Sequence, residues 1–348
     1  MPVVSTKPLS TVFAIGALAA LTAFPQASLA DEVNIYSYRQ EFLLRPLLDA
    51  FKEKTDIDVN IIYASKGLIE RIENEGRNTP ADILLTSDIG PLQDAKERNL
   101  LAKIDSAEIN ANVPAQYRDD DGTWIGLTAR SRIIYTSKER VAEGELSSYE
   151  DLADSKWAGR ICTRSGKHSY NLSLIGSMIE HKGEAQAEAW LEAVKANLAR
   201  KPQGNDRAQV KAVKEGQCDV ALGNSYYFGA MLTNDKEPEQ KEWANSVNLL
   251  FPNQADRGAH MNISGAAITA NAPNPESAKT LLEFLTSEEA QRIYAEVNYE
   301  FPVREGVARS ALINDYMGQF KADVVSLTRV AAHRSAAAKM VDRVGFDN

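Results

Sequence analysis

Cysteine and histidine are scarce in this sequence, and neither has the spacing of metal ligands. The chain of 348 residues has two cysteines and four histidines. A structural zinc site needs about four such ligands. The sequence also lacks the G-x-S-x-G turn of α/β-hydrolases, the H-E-x-x-H pair of zinc proteases and the phosphate-binding loop of nucleotide hydrolases. We therefore expect neither a zinc finger nor an enzyme.

Concentrated positive charge is also missing. The formal net charge is −9, and the lysine and arginine residues are dispersed along the chain. Nucleic-acid binding relies on a clustered basic surface. Because no such cluster is present, we expect no nucleic-acid partner.

Long apolar runs are absent except for one near the N-terminus. This run covers residues 12–23, follows Lys7 and precedes the small residues Ser28 and Ala30. A basic start, an apolar run and a small-residue cleavage site are typical of a secretory signal peptide. The run is shorter than the ~20 residues that a spanning helix needs. We expect residues 1–30 to be a signal peptide cleaved after Ala30, and the chain to be periplasmic; an uncleaved anchor is the alternative.

The two cysteines are Cys162 and Cys218. Disulfides persist in exported proteins, and an even number of cysteines is typical of them. The export signal therefore favours a disulfide between these two residues. Two buried free thiols are the alternative.

The chain after the signal peptide alternates between short strands and helices. Apolar and β-branched runs predict strands at 33–36, 59–63 and 83–85, and helical spacing of apolar residues predicts helices at 43–54 and 67–75. Such alternation predicts a parallel α/β sheet, with the ligand site at the carboxyl ends of its strands. The length exceeds what one core usually fills, so we expect two lobes.

Tyrosines follow two of the predicted strands in the middle of the chain. Tyr226 and Tyr227 come after a strand at 220–222 and open a predicted helix. Tyr170 opens another helix, for which Ser169 is a suitable N-cap. Because both helices start where strands end, we expect the three tyrosines to line one cleft.

Three phenols in one cleft suit a hard trivalent cation. A free phenol has a pKa of about 10 and is normally neutral. A strongly charged metal can hold it as phenolate, so that binding releases protons and weakens as the pH falls. Aromatic packing, or stacking against an organic ligand, explains the same residues. The residues alone leave these interpretations open.

Six segments together resemble, in order and spacing, the periplasmic ferric-iron-binding proteins of ABC iron transporters. The resemblance covers essentially the whole chain after the signal peptide. The segments are VNIYSYRQ at 33–40, PADILLTSD at 80–88, GLTARSRIIYTSK at 126–138, ARKPQGNDR at 199–207, GNSYYFG at 223–229 and NISG at 262–265.

The resemblance implies an α/β fold of the type II periplasmic-binding-protein kind, with two lobes joined by hinge strands. The first lobe would comprise residues 31–130 and about 255–304, and the second about 131–254 and 305–348. The implied function is capture of Fe(III) and its delivery to an ABC permease by a monomeric protein. The alternative is the same scaffold binding an organic solute such as a polyamine, thiamine or a phosphonate.

The resemblance also implies a site. Its clustered tyrosine ligands correspond to Tyr170, Tyr226 and Tyr227. Its first-loop arginine corresponds to Arg39, which would clamp a synergistic anion such as carbonate, since a guanidinium matches such an anion with two hydrogen bonds. Arg130, near the first hinge, is expected to support the anion or a phenolate.

The chain departs from parts of that family. Gln40 and Glu41 stand where some members have histidine or tyrosine, and Ser87 stands where others have glutamate. We therefore expect three tyrosines completed by an anion or water, with Gln40 near the anion. Whether Glu41 or Tyr38 contacts the metal stays open, and His168 is expected on the surface.

Overall fold

The computed structural model describes residues 1–5 and 31–348, so the predicted signal peptide lies almost wholly outside the described residues. All elements named here lie in the compact unit from Asp31 to Asn348. Its strands are β1 (Glu32–Ser37), β2 (Asp58–Tyr63), β3 (Ile83–Thr86), β4 (Ile125–Ser137), β5 (Ile161–Cys162), β6 (Val220–Asn224), β7 (Val247–Leu250), β8 (Met261–Ile268) and β9 (Phe301–Pro302).

The α-helices of this unit alternate with the strands. They are α1 (Arg45–Thr55), α2 (Leu68–Glu75), α3 (Ile89–Glu97), α4 (Ala107–Asn112), α5 (Ser169–Lys182), α6 (Glu184–Ala196), α7 (Asp206–Lys214), α8 (Tyr226–Leu232), α9 (Glu239–Asn245), α10 (Pro275–Leu285), α11 (Glu288–Asn298), α12 (Ala311–Met317), α13 (Leu327–Ala332) and α14 (Arg334–Val344). None of the described helices is long and apolar enough to span a membrane.

The first three strands form the predicted parallel arrangement. β1 pairs in parallel with β2 on one side and with β3 on the other. Helix α1 connects β1 to β2 and buries Leu47, Leu48 and Phe51, which lie at helical spacing. It ends where Asp56 adopts a left-handed conformation. The predicted α/β class is therefore confirmed for this part of the chain.

Strand β4 connects two groups of strands. Its first half, Ile125–Ser131, pairs antiparallel with β8, and its second half, Arg132–Ser137, pairs with β6 and β7. The strand order is β2-β1-β3-β8-β4-β6-β5, with β7 and β9 paired to β4. We call β1, β2, β3, β8 and β9 the first strand group and β5, β6 and β7 the second. All residues of β4 are buried, so a crossing strand holds both groups together.

Each strand group has helices packed on it. Helices α5, α6 and α14 pack together beside the second group, where Trp157, Trp190 and Met340 are buried. Helices α1, α10 and α11 pack beside the first group, where the rings of Phe51 and Phe284 lie 5.5 Å apart. The structure also joins Cys162 of β5 to Cys218 in a disulfide. The exact lobe boundaries stay a prediction.

Strand β8 is longer than the sequence indicates. The apolar run covers residues 265–268, whereas the strand begins at Met261. Its early part carries the polar residues Asn262 and Ser264, which obscure the apolar pattern. Both are buried because they hydrogen-bond within the protein: the Asn262 amide donates to Asp88, at 2.9 Å, and Ser264 accepts from Arg39, at 2.7 Å.

Candidate metal centre

A cavity of about 530 Å³ lies at the ends of both strand groups. The first group contributes the loop after β1, and the second contributes the starts of α5 and α8. Every residue predicted for the metal or anion site lines this cavity: Tyr170, Tyr226, Tyr227, Arg39, Gln40 and Arg130. The three tyrosines meet in one cleft, as their positions after strands predict, whereas Arg39, Gln40 and Arg130 were expected there from the resemblance.

The three tyrosines converge from two helix starts. The hydroxyl oxygens of Tyr170 and Tyr226 are 3.2 Å apart. The rings of Tyr226 and Tyr227 have centroids 4.3 Å apart. Helix α8 begins at Tyr226, two residues after β6 ends at Asn224, so its first turn faces the cavity. The arrangement places three phenols within reach of one another.

The start of α5 differs from the prediction. Ser169 is the first helical residue, and the N-cap is His168, whose Nδ1 accepts a hydrogen bond from the backbone N–H of Tyr170, at 3.3 Å. Our prediction of Ser169 as the cap was wrong because an imidazole nitrogen can fill the same role. His168 is also partly buried and lines the cavity, with its ring 4.5 Å from that of Tyr170, so placing it on the surface was wrong too.

The surroundings of Tyr226 and Tyr227 favour the neutral form of these two phenols. Burial, together with the nearby Tyr170 and Tyr227, raises the pKa of Tyr226 well above its usual value of 10. Burial and Tyr170 likewise raise the pKa of Tyr227. A positive charge placed among these phenols would favour their phenolate forms instead.

Three guanidinium groups surround the ring of Tyr170. Their central carbons lie 5.6 Å from the ring centroid for Arg130, 5.9 Å for Arg132 and 5.2 Å for Arg164. Arg130 donates to the backbone carbonyl of Ser87 and, at 3.3 Å, to the hydroxyl of Ser264. Positive groups at this distance stabilise negative charge on a phenol oxygen or on a neighbouring anion.

One buried carboxylate holds two of these arginines. Asp206 is 2.7 Å from Nη1 of Arg132 and 3.3 Å from Nη1 of Arg164. Burial alone would raise the pKa of Asp206, but the two guanidinium groups outweigh it, and the pKa lies below its usual value. Asp206 therefore fixes Arg164 at the cavity wall, a position that the sequence did not reveal.

Arg39 is paired with a carboxylate that the sequence analysis missed. Nη2 and Nη1 of Arg39 donate to the two oxygens of Glu300, at 2.7 and 3.1 Å. Thr128 also donates to Glu300, at 3.0 Å. Burial opposes the ionised form of Glu300, but Arg39 outweighs it and lowers the pKa of the carboxyl. No local pattern marks Glu300, because its partner is 261 positions away.

Glu41 and Tyr38, in and beside the first loop, both have hydrogen-bond partners within the protein. The carboxylate of Glu41 pairs with Arg45 at the surface and is absent from the cavity lining. The hydroxyl of Tyr38 accepts from the backbone N–H groups of Leu68 and Ile69, at 3.0 and 3.2 Å, which occupies it at the start of α2. Within residues 1–5 and 31–348, no three His, Cys, Asp or Glu side chains are grouped as metal ligands.

Comparison with known proteins identifies the family of this chain. Residues 78–323 match the family described as bacterial extracellular solute-binding protein. The chain belongs to this family. Among its relatives, this solute-binding protein is 41% identical to iron uptake protein A1 of Synechocystis sp., over 92% of this chain and 91% of that protein.

Solved structures confirm the predicted fold. The apo ferric ion-binding protein A of Pasteurella haemolytica has a TM-score of 0.86 and 49% identity, over 92% of this solute-binding protein and 99% of that chain. The Trichodesmium protein IdiA (FutA), solved with iron and citrate ligands, also has a TM-score of 0.86, with 43% identity over 90% of this chain and 99% of that chain. The fold is therefore the type II periplasmic-binding-protein fold, and the resemblance stated from the sequence is confirmed.

Proposed function

We propose that this protein captures Fe(III) in the cavity by means of Tyr170, Tyr226 and Tyr227. The observation that carries the proposal is the convergence of these phenols, with Tyr170 and Tyr226 oxygens 3.2 Å apart, beside several guanidinium groups. The names of the relatives support the cargo: one is an iron uptake protein and another is a ferric ion-binding protein.

The chemistry follows from charge. Three phenolates balance the three positive charges of Fe(III), and hard anionic oxygens suit a hard cation. Since the pKa values of Tyr226 and Tyr227 are raised in the metal-free cavity, the phenols lose protons only as the ion binds. Iron binding therefore releases protons, and acidification or reduction to Fe(II) weakens it.

A small anion, which we take to be carbonate, completes the coordination in this proposal. Arg130 lies 5.6 Å from the Tyr170 ring and is held by neutral acceptors, so its charge is free to attract an anion. Arg39 and Gln40 line the same wall. Because Arg39 is already paired with Glu300, it would share its guanidinium between that carboxylate and the anion.

Delivery is the second half of the proposed function. The chain would be exported, cleaved after Ala30, and work as a monomer that passes iron to an ABC permease. Two lobes would close around the ion by bending at β4 and at the connection between β7 and β8, with lobe boundaries near residues 130, 255 and 304. The continuous strand β4, which pairs with both strand groups, supports this hinge.

The volume and aromatic lining of the cavity also favour a second candidate, an organic solute such as a polyamine, thiamine or a phosphonate. Binding sites for small organic molecules span about 300–1,000 Å³ and contain aromatic side chains. The cavity is about 530 Å³ and is lined by Tyr38, Phe42 and Tyr63 in addition to the three central tyrosines. In this alternative the tyrosines would stack on the solute.

One titration separates the two candidates. The mature protein is mixed with an equimolar Fe(III) salt in bicarbonate buffer, and the visible spectrum and proton release are recorded. Iron binding by phenolates should give a broad charge-transfer band and release about three protons per ion. A colourless product, combined with a thermal shift from one of the organic solutes, would contradict the iron proposal and support the alternative.

A further inference from the structure

Tyr299, directly after α11, has a backbone conformation that is unusual for its side chain. Its φ and ψ angles are 57° and 21°, in the left-handed region. A residue with a Cβ atom is strained there, and glycine is the usual solution. A tyrosine at this position indicates that its side chain makes contacts that offset the strain.

The ring of Tyr299 packs against a glycine of α8. A Cβ atom added at Gly229 would lie 2.5 Å from Cγ and 2.9 Å from Cβ of Tyr299, closer than atoms can approach. Glycine inside a helix is less favourable than alanine. The close approach of the Tyr299 ring gives a physical reason for Gly229 in the same helix that carries Tyr226 and Tyr227.

The hydroxyl of Tyr299 makes a second contact with α8. It donates to the side-chain oxygen of Thr233, at 3.0 Å, at the residue that follows the last turn of the helix. The Tyr299 side chain therefore touches α8 in its middle and at its end. Gly229 lies three positions after Tyr226, a spacing that puts both residues on neighbouring parts of the helix surface.

The residues on either side of Tyr299 are tied to the opposite wall of the cavity. The amide of Asn298 donates to the backbone carbonyl of Leu43, at 3.3 Å, and Glu300 forms the ion pair with Arg39. The segment 298–300 thus contacts the loop that carries Arg39 and, through Tyr299, the helix that carries the tyrosines. It links the two sides of the candidate metal centre.

We propose that Tyr299 is a positioning residue that sets the place of α8, and so of Tyr226 and Tyr227, relative to the Arg39–Glu300 pair. The proposal rests on the iron function proposed above. Tyr299 itself supplies no ligand. Its ring acts as a spacer against Gly229, and its hydroxyl fixes the rotation of the helix through Thr233.

Iron affinity and the charge-transfer spectrum test this role, with folding checked by circular dichroism. Tyr299→Ala removes the spacer and should lower iron affinity by about tenfold and shift the band, because the phenolate oxygens change position. Tyr299→Phe keeps the ring but loses the hydrogen bond to Thr233, so it should lose less affinity than Tyr299→Ala. Tyr316→Ala is the matched control: Tyr316 packs on Phe228 of α8, with ring centroids 4.9 Å apart, but does not line the cavity.

A compensating pair makes the test sharper. Gly229→Ala should lower iron affinity because the added methyl group displaces the Tyr299 ring. In the double variant Gly229→Ala with Tyr299→Ala, the ring atom that would lie 2.5 Å from the methyl group is gone, and only the Cβ atom at position 299, at 2.9 Å, stays close. Its loss should therefore be smaller than the sum of the two single losses. If Tyr299→Ala does not fold, the Gly229→Ala protein decides in the same way.

The outcomes distinguish this inference from the proposed function. If the parent protein shows no charge-transfer band with Fe(III), the iron function and this inference both fail. If the parent binds iron and both Tyr299→Ala and Gly229→Ala bind it with parental affinity and spectrum, only the positioning role is wrong. Strictly additive losses in the double variant would also overturn it, because independent sites show no coupling.

Discussion

Arg39 and Glu300 form a buried ion pair held by two hydrogen bonds, with N–O distances of 2.7 and 3.1 Å. Their side chains are only 6% and 3% exposed. A buried charge without its partner is strongly unfavourable. This pair therefore has a structural role in addition to any role in anion binding, and the two roles call for different measurements.

Substitution of Arg39 should affect folding as well as iron binding. Arg39→Ala leaves the carboxylate of Glu300 buried without its guanidinium partner, so urea unfolding should show a loss of about 3–5 kcal/mol. The double variant Arg39→Met with Glu300→Gln removes both charges and should recover much of that loss. The iron affinities of the parent and of this double variant are then compared with and without bicarbonate, which isolates the anion role. If the two proteins have the same affinity in both buffers, Arg39 has no role in anion binding.

Removing single phenol oxygens should weaken iron binding without unfolding the protein. Tyr170→Phe, Tyr226→Phe and Tyr227→Phe each delete one oxygen and keep the ring, and each should lower iron affinity by at least about a hundredfold, the upper range for loss of an outer-shell partner. Tyr63→Phe, at the exposed rim of the cavity, is the matched control. Parental affinity and an unchanged visible band in all three variants would show that the ligand assignment is wrong.

Asp206 should be among the residues on which folding most depends. Its side chain is fully buried and accepts from Arg132, from Arg164 and from the backbone N–H of Asn224. Asp206→Asn leaves two guanidinium groups without their shared charge and should destabilise the fold by about 3 kcal/mol in chemical denaturation. Asp235→Asn breaks an exposed pair with Lys241 and should leave stability unchanged. Equal effects of the two substitutions would contradict this account.

The stability of the protein should fall in mild acid because of His260. Burial, together with the charges of Arg132 and Arg130, lowers the pKa of His260 from 6.5 to about 3. Between pH 3 and pH 6.5, the unfolded chain therefore binds a proton at His260 that the folded chain does not bind. The contribution of His260 to the free energy of unfolding is fully present above pH 6.5 and is lost as the pH falls toward 3. The loss is about 1.4 kcal/mol per pH unit across that window.

His260→Leu provides the matching measurement. Both ring nitrogens of His260 are buried and have no hydrogen-bond partner within residues 1–5 and 31–348, so leucine removes the titrating group without removing a hydrogen bond to this part of the chain. Melting temperatures of the parent and the variant are followed from pH 8 to pH 4. As the pH falls, the melting temperature of the parent should decrease relative to that of the variant. Parallel curves would show that His260 does not contribute to the acid sensitivity.

The sequence by itself determined the local features of this protein. Apolar spacing predicted α1 and the parallel strands β1, β2 and β3, because a helix or strand buries one side of a short segment. The positions of Tyr170, Tyr226 and Tyr227 after strands predicted that they would meet, because strand ends share one edge of a sheet. The segments that resemble ferric-binding proteins predicted the family and its fold.

Only the tertiary structure decided which distant side chains became partners. Three contacts have no signal in the sequence, because each joins segments far apart in the chain and depends on how the strand groups pack. They are the pair of Arg39 with Glu300, the pairs of Asp206 with Arg132 and Arg164, and the packing of Tyr299 on Gly229. The cap of α5 is a local contact that the sequence also left undecided: His168 and Ser169 both offer an acceptor, and His168 is the residue with extended backbone before the first helical turn.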